Sequence, residues 1–268
     1  MCPAEDRPLH PTRRRILQTT GGLTALGVLG NSASLPVTAD PGTEQWAFET
    51  SNIRSSPTVV DGTVFVGSTD DHLYAVDAAT GEQEWAFETD RWQSVNASPT
   101  VVDGTVFVGS HDHHLYAVDA TTGEKQWAVE TGDKLGSSPT VVDGTVFVGS
   151  WDTNLYAIDA ATGDQEWIFE TDDWIQSSPT VVDGTVFVGG GDNYLPAVDA
   201  TTGEQEWVFE TGDSVFSSPT VVNGTVFVGS IDTNLYAVDA ATGDQEWMFE
   251  TADSVLSSPT VVDGTVFV

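Results

Sequence analysis

Short apolar runs separated by glycine-containing turns recur along the chain with a period close to 40 residues. In one copy, Val141-Val142 is followed by Asp143-Gly144 and then by Val146-Phe147-Val148. Because Asp-Gly supplies the positive φ angles of a tight hairpin turn, the two runs are predicted to be antiparallel strands. No 3.6-residue apolar pattern occurs between the glycines, so a helical solenoid of similar period is excluded.

Each unit continues through two further β-rich runs, such as residues 155–159 and 165–171, on either side of an Ala-Thr-Gly turn. One unit therefore supplies four antiparallel strands. A lone four-stranded sheet with apolar residues on both faces cannot bury both, whereas sheets stacked face to face around an axis can. The pattern predicts an all-β fold, a β-propeller of four-stranded antiparallel blades.

The repeats also set the expected domain boundaries. Residues 40–268 are predicted to form the propeller, with five complete repeats and partial terminal blades. Residues 44–50 would supply only a last strand, and residues 259–268 only the first two strands of another blade. The expectation is a chain truncated inside its last blade, with a six-bladed ring containing one defective blade as the alternative.

A motif shared by the repeats resembles the tryptophan-docking motif of propellers of the pyrroloquinoline-quinone (PQQ) type. Its copy at 75–85 reads Ala-Val-Asp-Ala-Ala-Thr-Gly-Glu-Gln-Glu-Trp. Asp77 can bond backbone N–H groups of its own turn, Gly81 relaxes the chain there, and Trp85 is expected to pack against the neighbouring blade. The repeated glycines and tryptophans are Gly81, Gly123, Gly163, Gly203, Gly243, Trp85, Trp127, Trp167, Trp207 and Trp247.

The segment 12–18 resembles the twin-arginine export motif, with Arg13, Arg14, Ile16 and Leu17 at its characteristic positions. The glycine-rich apolar stretch at 21–30 that follows is too short to span a bilayer comfortably. Residues 1–39 are therefore expected to be a signal peptide and short linker, cleaved between Ser34 and Asp40. This implies use of the twin-arginine machinery, an extracellular or cell-surface location, and no transmembrane segment in the mature chain. An uncleaved leader or anchor remains an alternative.

Charge narrows the range of partners. The formal net charge is −33, and only four of the eight basic residues lie after residue 39. Nucleic acid is excluded as a partner, because its phosphates would be repelled and few cations are present to release counterions. Acidic residues dispersed through every repeat indicate adaptation to concentrated salt, where screening removes the self-repulsion. Cys2 is the only cysteine, so no intramolecular disulfide can form.

Sugar and alcohol dehydrogenases of the resembled superfamily hold the quinone with a calcium ion, an aspartate base and often a pair of neighbouring cysteines. That cysteine pair is missing, and no catalytic or cofactor-binding residue is predicted. One aspartate recurs in the loop after the second strand of each unit, where a loop-stabilising role is favoured over a cation site. These are Asp70, Asp112, Asp152, Asp192 and Asp232. Four histidines in the first two of these loops are weak candidates for metal ligands, namely His72, His111, His113 and His114.

The linkers between units and the loops between second and third strands vary among otherwise constant repeats. In a blade of this type both sets of loops open on one face. Basic and aromatic residues, with one isoleucine, are found on this face, a composition typical of a recognition surface. Unselected drift between duplicated repeats is an equal alternative explanation of the variation. The residues are Arg54, Arg91, Trp92, Lys134, Trp151, Trp174, Phe216 and Ile231.

Two details are specific to single copies. Gly189-Gly190-Gly191, together with Pro196 in place of tyrosine, marks the fourth unit as irregular, and a bulge is expected because proline cannot donate to a sheet ladder. Asn96 and Asn223 fit the N-glycosylation pattern. Asn96 is expected to be the better acceptor, because Asn223 occupies a tight turn.

These observations predict an exported, non-catalytic propeller that binds a protein or glycan, resembling in role the propeller scaffold of bacterial outer-membrane barrel assembly. No cofactor is expected under this interpretation. The alternative is a fragment of a PQQ-dependent alcohol or sugar dehydrogenase, which would require PQQ with calcium.

Overall fold

The computed structural model describes residues 44–89 and 93–268, and the backbone of residues 15–17. Within these residues every regular element is a β-strand. At the N-terminal side, β1 (Arg15–Leu17) pairs antiparallel with β2 (Ala47–Glu49). Ile16 and Leu17 of the export motif therefore lie in β1, whereas Arg13 and Arg14 are outside the described residues.

Five blades follow, each a four-stranded antiparallel sheet whose strands pair in sequence order. The strands of the first two blades are β3 (Thr58–Val60), β4 (Thr63–Gly67), β5 (His72–Asp77), β6 (Gln83–Glu88), β7 (Thr100–Val102), β8 (Thr105–Gly109), β9 (His114–Asp119) and β10 (Lys125–Glu130). Those of the third and fourth are β11 (Thr140–Val142), β12 (Thr145–Gly149), β13 (Asn154–Asp159), β14 (Gln165–Glu170), β15 (Thr180–Val182), β16 (Thr185–Phe187), β17 (Tyr194–Asp199) and β18 (Gln205–Glu210). Those of the fifth are β19 (Thr220–Val222), β20 (Thr225–Gly229), β21 (Asn234–Asp239) and β22 (Gln245–Glu250), and β23 (Thr260–Val262) then pairs with β24 (Thr265–Phe267). The expected all-β propeller of four-stranded blades is confirmed.

The first hairpin of each blade has the turn that its sequence predicts. In the third blade, Asp143 has φ 50° and Gly144 has φ 87°. Val142 pairs with Thr145 across this two-residue turn. Two successive positive φ angles define the turn type whose twist matches that of the flanking strands. Asn223 takes the same conformation in the fifth blade, with φ 52°.

The Ala-Thr-Gly turn is closed by the aspartate that precedes it. Asp159 Oδ1 accepts hydrogen bonds from the Ala161 N–H at 3.0 Å, the Thr162 N–H at 2.7 Å and the Thr162 hydroxyl at 2.9 Å. These bonds, led by that from the Thr162 N–H, hold the pKa of Asp159 below its usual value. The expected role of this aspartate as a turn-forming residue is confirmed.

The motif tryptophans connect neighbouring blades. The Trp127 indole lies against Gly163, and its Nε1 donates to the Ala160 carbonyl oxygen at 3.0 Å. The same contact joins Trp85 to Gly123, Trp167 to Gly203 and Trp207 to Gly243, and an additional tryptophan, Trp46, lies against Gly81. Trp247 contacts Phe227 of its own blade, as each of the other motif tryptophans contacts the corresponding phenylalanine, and is 40% exposed. Its docking against a following blade stays a prediction.

Apolar side chains from adjacent sheets fill the space between blades. Phe107 and Leu115 of the second blade pack with Val146, Val148 and Tyr156 of the third. Alternate residues of the second and third strands supply these clusters, because successive side chains of a strand point to opposite faces. Burial on both faces explains the continuous apolar runs in the sequence.

A second set of contacts joins the inner strands around the axis. The Thr140 hydroxyl donates to the Pro179 carbonyl oxygen at 2.6 Å, and the Ser138 N–H donates to Ser178 Oγ at 3.0 Å. The corresponding pairs recur between each two consecutive blades. The repeated Ser-Pro-Thr sequence is therefore an interblade clamp, a role that was not inferred from the sequence.

The fourth blade is irregular, but not in the way expected. Its second strand, β16, ends at Phe187, whereas the second strands of the other blades continue for two more residues. The register shift between Ala197 and Val198 has a counterpart in every blade, so Pro196 adds no bulge of its own. Proline lacks the N–H that the ladder needs at this position, and the pairing ends early instead.

Candidate functional site

The variable loops and the linkers between blades lie side by side in the described part of the chain. Loops between second and third strands pair with the linkers through the backbone. The Trp151 N–H donates to the Lys134 carbonyl oxygen at 2.9 Å, and the Ile231 N–H donates to the Ser214 carbonyl oxygen at 2.9 Å. We call this surface, formed by residues 51–54, 69–71, 93–96, 111–113, 132–136, 151–153, 172–176, 191–193, 212–216 and 231–233, the variable face.

Four ring side chains on the variable face contact one another in sequence. His111 and Trp151 have centroids 5.5 Å apart, Trp151 and Trp174 are 4.8 Å apart at 83°, and Trp174 and Phe216 are 5.0 Å apart at 58°. Edge-to-face packing of this kind stabilises each ring in place. His111, Trp151, Trp174 and Phe216, here called the aromatic row, therefore cross three consecutive blade junctions.

Positive charge lies beside the aromatic row in a strongly acidic protein. Lys134 Nζ is 5.1 Å from the Trp151 ring centroid, within the range of a cation–π contact. Burial lowers the pKa of His111, and the charges of Lys134 and Arg54 lower it further. The neutral imidazole is therefore favoured at neutral pH, and the cations at this end of the row are Lys134 and Arg54.

Two buried polar atoms next to the row lack a hydrogen-bond partner among the described residues. They are Trp151 Nε1 and Asn96 Oδ1. The Asn96 amide nitrogen lies 3.2 Å from His111 Nε2, and these two side chains form a small polar cluster beside the row. A buried donor or acceptor without a partner costs about 1–3 kcal/mol.

The structure brings together most of the predicted binding face. Lys134, Trp151, Trp174 and Phe216 are contiguous, and Arg54 lies near enough for its charge to act on His111. Arg91 and Trp92 are outside the described residues. His111 was considered only as a weak metal candidate, and its place in the aromatic row was missed. Its alignment with Trp151 in the neighbouring repeat was the available signal.

The four histidines are placed in separate interactions. His72 Nδ1 and His114 Nδ1 each lie within 2.9 Å of a carbonyl oxygen, that of Asp70 and of Asp112 respectively. His113 Nε2 lies 3.6 Å from Asp133 Oδ1. Among the described side chains, no three His, Cys, Asp or Glu residues are grouped so that they could hold a metal ion.

The repeated aspartates anchor the variable loops. Asp152 Oδ1 accepts the Asn154 N–H at 3.0 Å, while its Oδ2 accepts the Tyr156 hydroxyl at 2.7 Å and the Gly132 N–H at 2.5 Å. Asp152 is thus engaged within its own blade and adjoining linker, in the loop-stabilising role, whereas Asp70 keeps one buried oxygen, Oδ1, without a hydrogen-bond partner. The expectation of no cofactor stays a prediction.

The two glycosylation candidates differ in accessibility. Asn96 is half-buried in the polar cluster beside His111, whereas Asn223 is exposed at its hairpin turn. Asn223 does occupy the tight turn on which the expected ranking was based, with φ 52°, but it is the more exposed of the two. Modification of either residue stays a prediction.

Within the described residues, the structure contains no helix with the length and apolar character needed to cross a membrane.

Two family models match the sequence. The one described as "Beta-alanine-activating enzyme, beta-propeller" matches residues 93–268, about two thirds of the chain. The one described as "Outer membrane protein assembly factor BamB" matches residues 35–134. No curated protein matches the chain.

Solved structures of propellers are similar to this one. BamB from Moraxella catarrhalis aligns with a TM-score of 0.60 and 20% identity over 85% of this chain and 83% of its own. The computationally designed protein Ika8 aligns with a TM-score of 0.75 and 17% identity over 84% and 70%. The quinohemoprotein alcohol dehydrogenase ADHIIG from Pseudomonas putida HK5 aligns with a TM-score of 0.63 and 21% identity over 74% of this chain and 42% of its own. These likenesses show a PQQ-like propeller fold.

Proposed function

The chain belongs to the family described as "Beta-alanine-activating enzyme, beta-propeller", and from this premise we propose that it is a non-catalytic binding module that holds a partner protein on its variable face. The observation that carries the proposal is the aromatic row with Lys134 beside it. Tryptophan, tyrosine and arginine are the residues most enriched where protein partners bind tightly.

The arrangement of the rings favours a protein partner over a glycan. Trp151 and Trp174 meet edge to face at 83°, so their two rings do not form a flat platform on which a sugar could stack. Lys134 and Arg54 add attraction for a carboxylate on the partner.

The similarity of this chain to a BamB family model supports a scaffold role, since that model is described as an outer membrane protein assembly factor. Export through the twin-arginine route, with an extracellular or cell-surface location, is part of the same proposal. The rival function is that of a quinoprotein oxidoreductase, as in the dehydrogenase from Pseudomonas putida. The separate engagement of the loop carboxylates supports the binding module over this rival.

The experiment compares three proteins as affinity baits against an envelope and secreted fraction in high salt: wild type, Trp174→Ala and Lys125→Ala. Lys125 begins β10 and is exposed, so it controls for loss of a residue away from the aromatic row. Partners retained by wild type and Lys125→Ala but lost with Trp174→Ala are purified and titrated. We expect an affinity loss of at least about 30-fold for Trp174→Ala, the size of a tight-contact residue.

Three results would overturn the proposal. One is equal retention of every protein by the three baits. Another is preferential binding of oligosaccharides, tested with a glycan array under the same conditions. The third is dye-linked alcohol oxidation after addition of PQQ and calcium, which would establish the rival function.

A further inference from the structure

A tyrosine on the third strand faces the loop aspartate in four of the five blades. In each of these blades the phenol donates a hydrogen bond to the carboxylate four residues earlier. The pairs are Tyr74 with Asp70 at 3.2 Å, Tyr116 with Asp112 at 2.7 Å, Tyr156 with Asp152 at 2.7 Å, and Tyr236 with Asp232 at 2.6 Å. The repeat therefore provides, at each blade junction, a site built for a phenol group.

The ring of this tyrosine packs on the preceding blade. Tyr116 meets Phe87 edge to face at 5.1 Å and 66°, and Tyr236 meets Phe209 at 5.3 Å and 66°. The aromatic wall comes from the fourth strand of one blade and the carboxylate from the next. At the junction between the third and fourth blades the aromatic ring is that of Phe169 and the carboxylate is that of Asp192.

Proline stands where this junction would have its tyrosine. A cleft of about 340 Å³ lies beside Pro196, and Phe169, Asp192 and Val208 line it. Two further clefts near this blade contain the hairpin turns of neighbouring blades and a repeated Trp or Phe, so they belong to the general repeat geometry. The cleft at Pro196, here called the proline cleft, lies instead where the sequence of this repeat departs from the others.

Asp192 lacks the tyrosine hydroxyl that donates a hydrogen bond to the equivalent aspartate in each of the other four blades. It accepts the Tyr194 N–H at 3.2 Å and the Asp172 N–H at 3.3 Å. The equivalent Asp232 accepts the Gly212 N–H at 2.7 Å and the Tyr236 hydroxyl at 2.6 Å. Burial raises the pKa of Asp192, whereas the pKa of Asp232 is lowered despite burial because Tyr236 and neighbouring N–H groups bond it.

We propose that the proline cleft is a binding site for a phenol group supplied by another molecule, whose ring lies between Phe169 and Val208 and whose hydroxyl donates to the Asp192 carboxylate. A hydroxyl donating to a carboxylate is a short, charge-assisted bond. An aromatic ring contributes further through edge or face contacts with Phe169. The ligand would reproduce in trans the contact that tyrosine makes within the other blades.

The phenol could come from a small aromatic molecule or from a tyrosine side chain of a partner protein. The test uses p-cresol for the first source and N-acetyl-tyrosinamide for the second, each titrated by ligand-observed NMR in high-salt buffer. Toluene and N-acetyl-phenylalaninamide are the matched probes without the hydroxyl. We expect p-cresol to bind at millimolar concentration or below, and at least about tenfold more tightly than toluene, since one net hydrogen bond to a charged group is worth about 1.5–3 kcal/mol.

Pro196→Tyr is the decisive variant, because it places the chain's own phenol in the cleft and restores the residue that the other repeats have at this position. It should fold at least as stably as wild type and bind neither phenol. Pro196→Ala keeps the cleft and should retain binding. Tighter binding of N-acetyl-tyrosinamide than of p-cresol indicates a partner's tyrosine, and the reverse order indicates a small phenol. Equal binding to wild type and Pro196→Tyr, equal binding of p-cresol and toluene, or no binding of either phenol would overturn the proposal.

The proline cleft does not depend on the aromatic row for its lining residues. Partner binding at Trp174 and phenol binding at Pro196 are therefore measured separately. Trp174→Ala is expected to abolish partner binding without affecting phenol binding, and Pro196→Tyr is expected to do the reverse.

Discussion

The indole of Trp85 lies over Gly123 of the next blade, where a β-carbon would come within 2.8 Å of the indole Cδ2. The same indole donates its N–H to the Ala120 carbonyl oxygen at 3.0 Å. Gly123 also has φ 73°, in the left-handed region. The docking contact therefore requires glycine at position 123 for two reasons: the backbone has a positive φ angle, and the indole leaves no space for a β-carbon.

We predict that Gly123→Ala destabilises the propeller by about 2–4 kcal/mol. Roughly 1 kcal/mol comes from the positive φ angle, and about 1–3 kcal/mol from overpacking against the indole. Gly104→Ala is the matched control, because Gly104 has φ 76° and nothing within 4 Å of a β-carbon. Urea unfolding in high salt measures both. Equal losses for the two variants would contradict a role of the indole contact.

The second prediction concerns acid. Hydrogen bonds from the Thr162 N–H and hydroxyl lower the pKa of Asp159, and the equivalent aspartates Asp77, Asp119, Asp199 and Asp239 are lowered in the same way. A carboxyl group with a lowered folded-state pKa stabilises the fold above its unfolded pKa, near 3.9, and this contribution is lost as pH falls through the folded pKa. The contribution of these turn aspartates to thermal stability should therefore be lost as pH falls below about 4.

Asp159→Asn tests this directly. The variant should be less stable than wild type at pH 7, because the amide oxygen accepts the turn's hydrogen bonds without charge, and the two should converge in acid. Asp164→Asn, at an exposed position in the same turn, should preserve the wild-type difference between neutral and acid pH. A constant gap between wild type and Asp159→Asn at all pH values would refute the assignment.

The third prediction is electrostatic coupling within the candidate site. Burial is the largest cause of the lowered pKa of His111, followed by the charges of Lys134 and Arg54. Lys134→Ala should raise the pKa of His111, while burial should still keep it below the ordinary value of 6.5. Imidazole NMR titration measures it, with Lys125→Ala as the control. An unchanged pKa in Lys134→Ala would show that Lys134 is directed away from the row.

The fold was predictable because each repeat carries several consistent local signals. The Asp-Gly turn at 143–144, the Asp159 turn and the Trp127 docking position all follow from sequence, since glycine, turn aspartate and tryptophan have few alternative roles at such spacing. The interblade bond from Thr140 to Pro179 was not predictable. Threonine and serine hydroxyls satisfy many partners, so the sequence alone does not specify which carbonyl they reach.

The candidate site was predictable in composition and not in geometry. Variation among repeats identified Trp151 and Trp174, but their edge-to-face contact depends on how the linkers fold over the loops. The consequence of Pro196 was misjudged for a related reason. Its missing N–H was considered, whereas the missing tyrosine side chain, which the three-dimensional repeat places between Phe169 and Asp192, has the larger effect.

The fourth prediction is that the exported protein begins between Ser34 and Asp40. Small residues follow the apolar stretch at 21–30, the order expected of a cleaved signal. Mass spectrometry of protein from the native host measures the mature N-terminus. Changing Arg13 and Arg14 together to Lys should block export, and Arg7→Lys is the control. Intact residues 1–30 in exported material, or normal export of the double variant, would contradict the prediction.

The last prediction is that folding depends on salt. The chain has 41 acidic and 8 basic residues, so its carboxylates repel one another and few cations offset the repulsion. The repulsion acts over a Debye length of about 30 Å at 0.01 M salt, comparable with the size of a small domain, but over only about 3 Å at 1 M. Circular dichroism and sedimentation between these two potassium chloride concentrations should show loss of β-structure or self-association as salt is removed.

A variant with fewer negative charges separates the screening of charge repulsion by salt from the other effects of salt on stability. Glu82, Glu124 and Glu204 occupy the same exposed turn position in three blades. Changing all three to Gln removes three negative charges and leaves the turn aspartates in place, so the unfolding midpoint should move to lower salt. Sucrose, which strengthens burial without screening charge, should not replace the salt fully. A compact monomer at every salt concentration, or an unchanged midpoint in the triple variant, would show that charge repulsion does not limit stability.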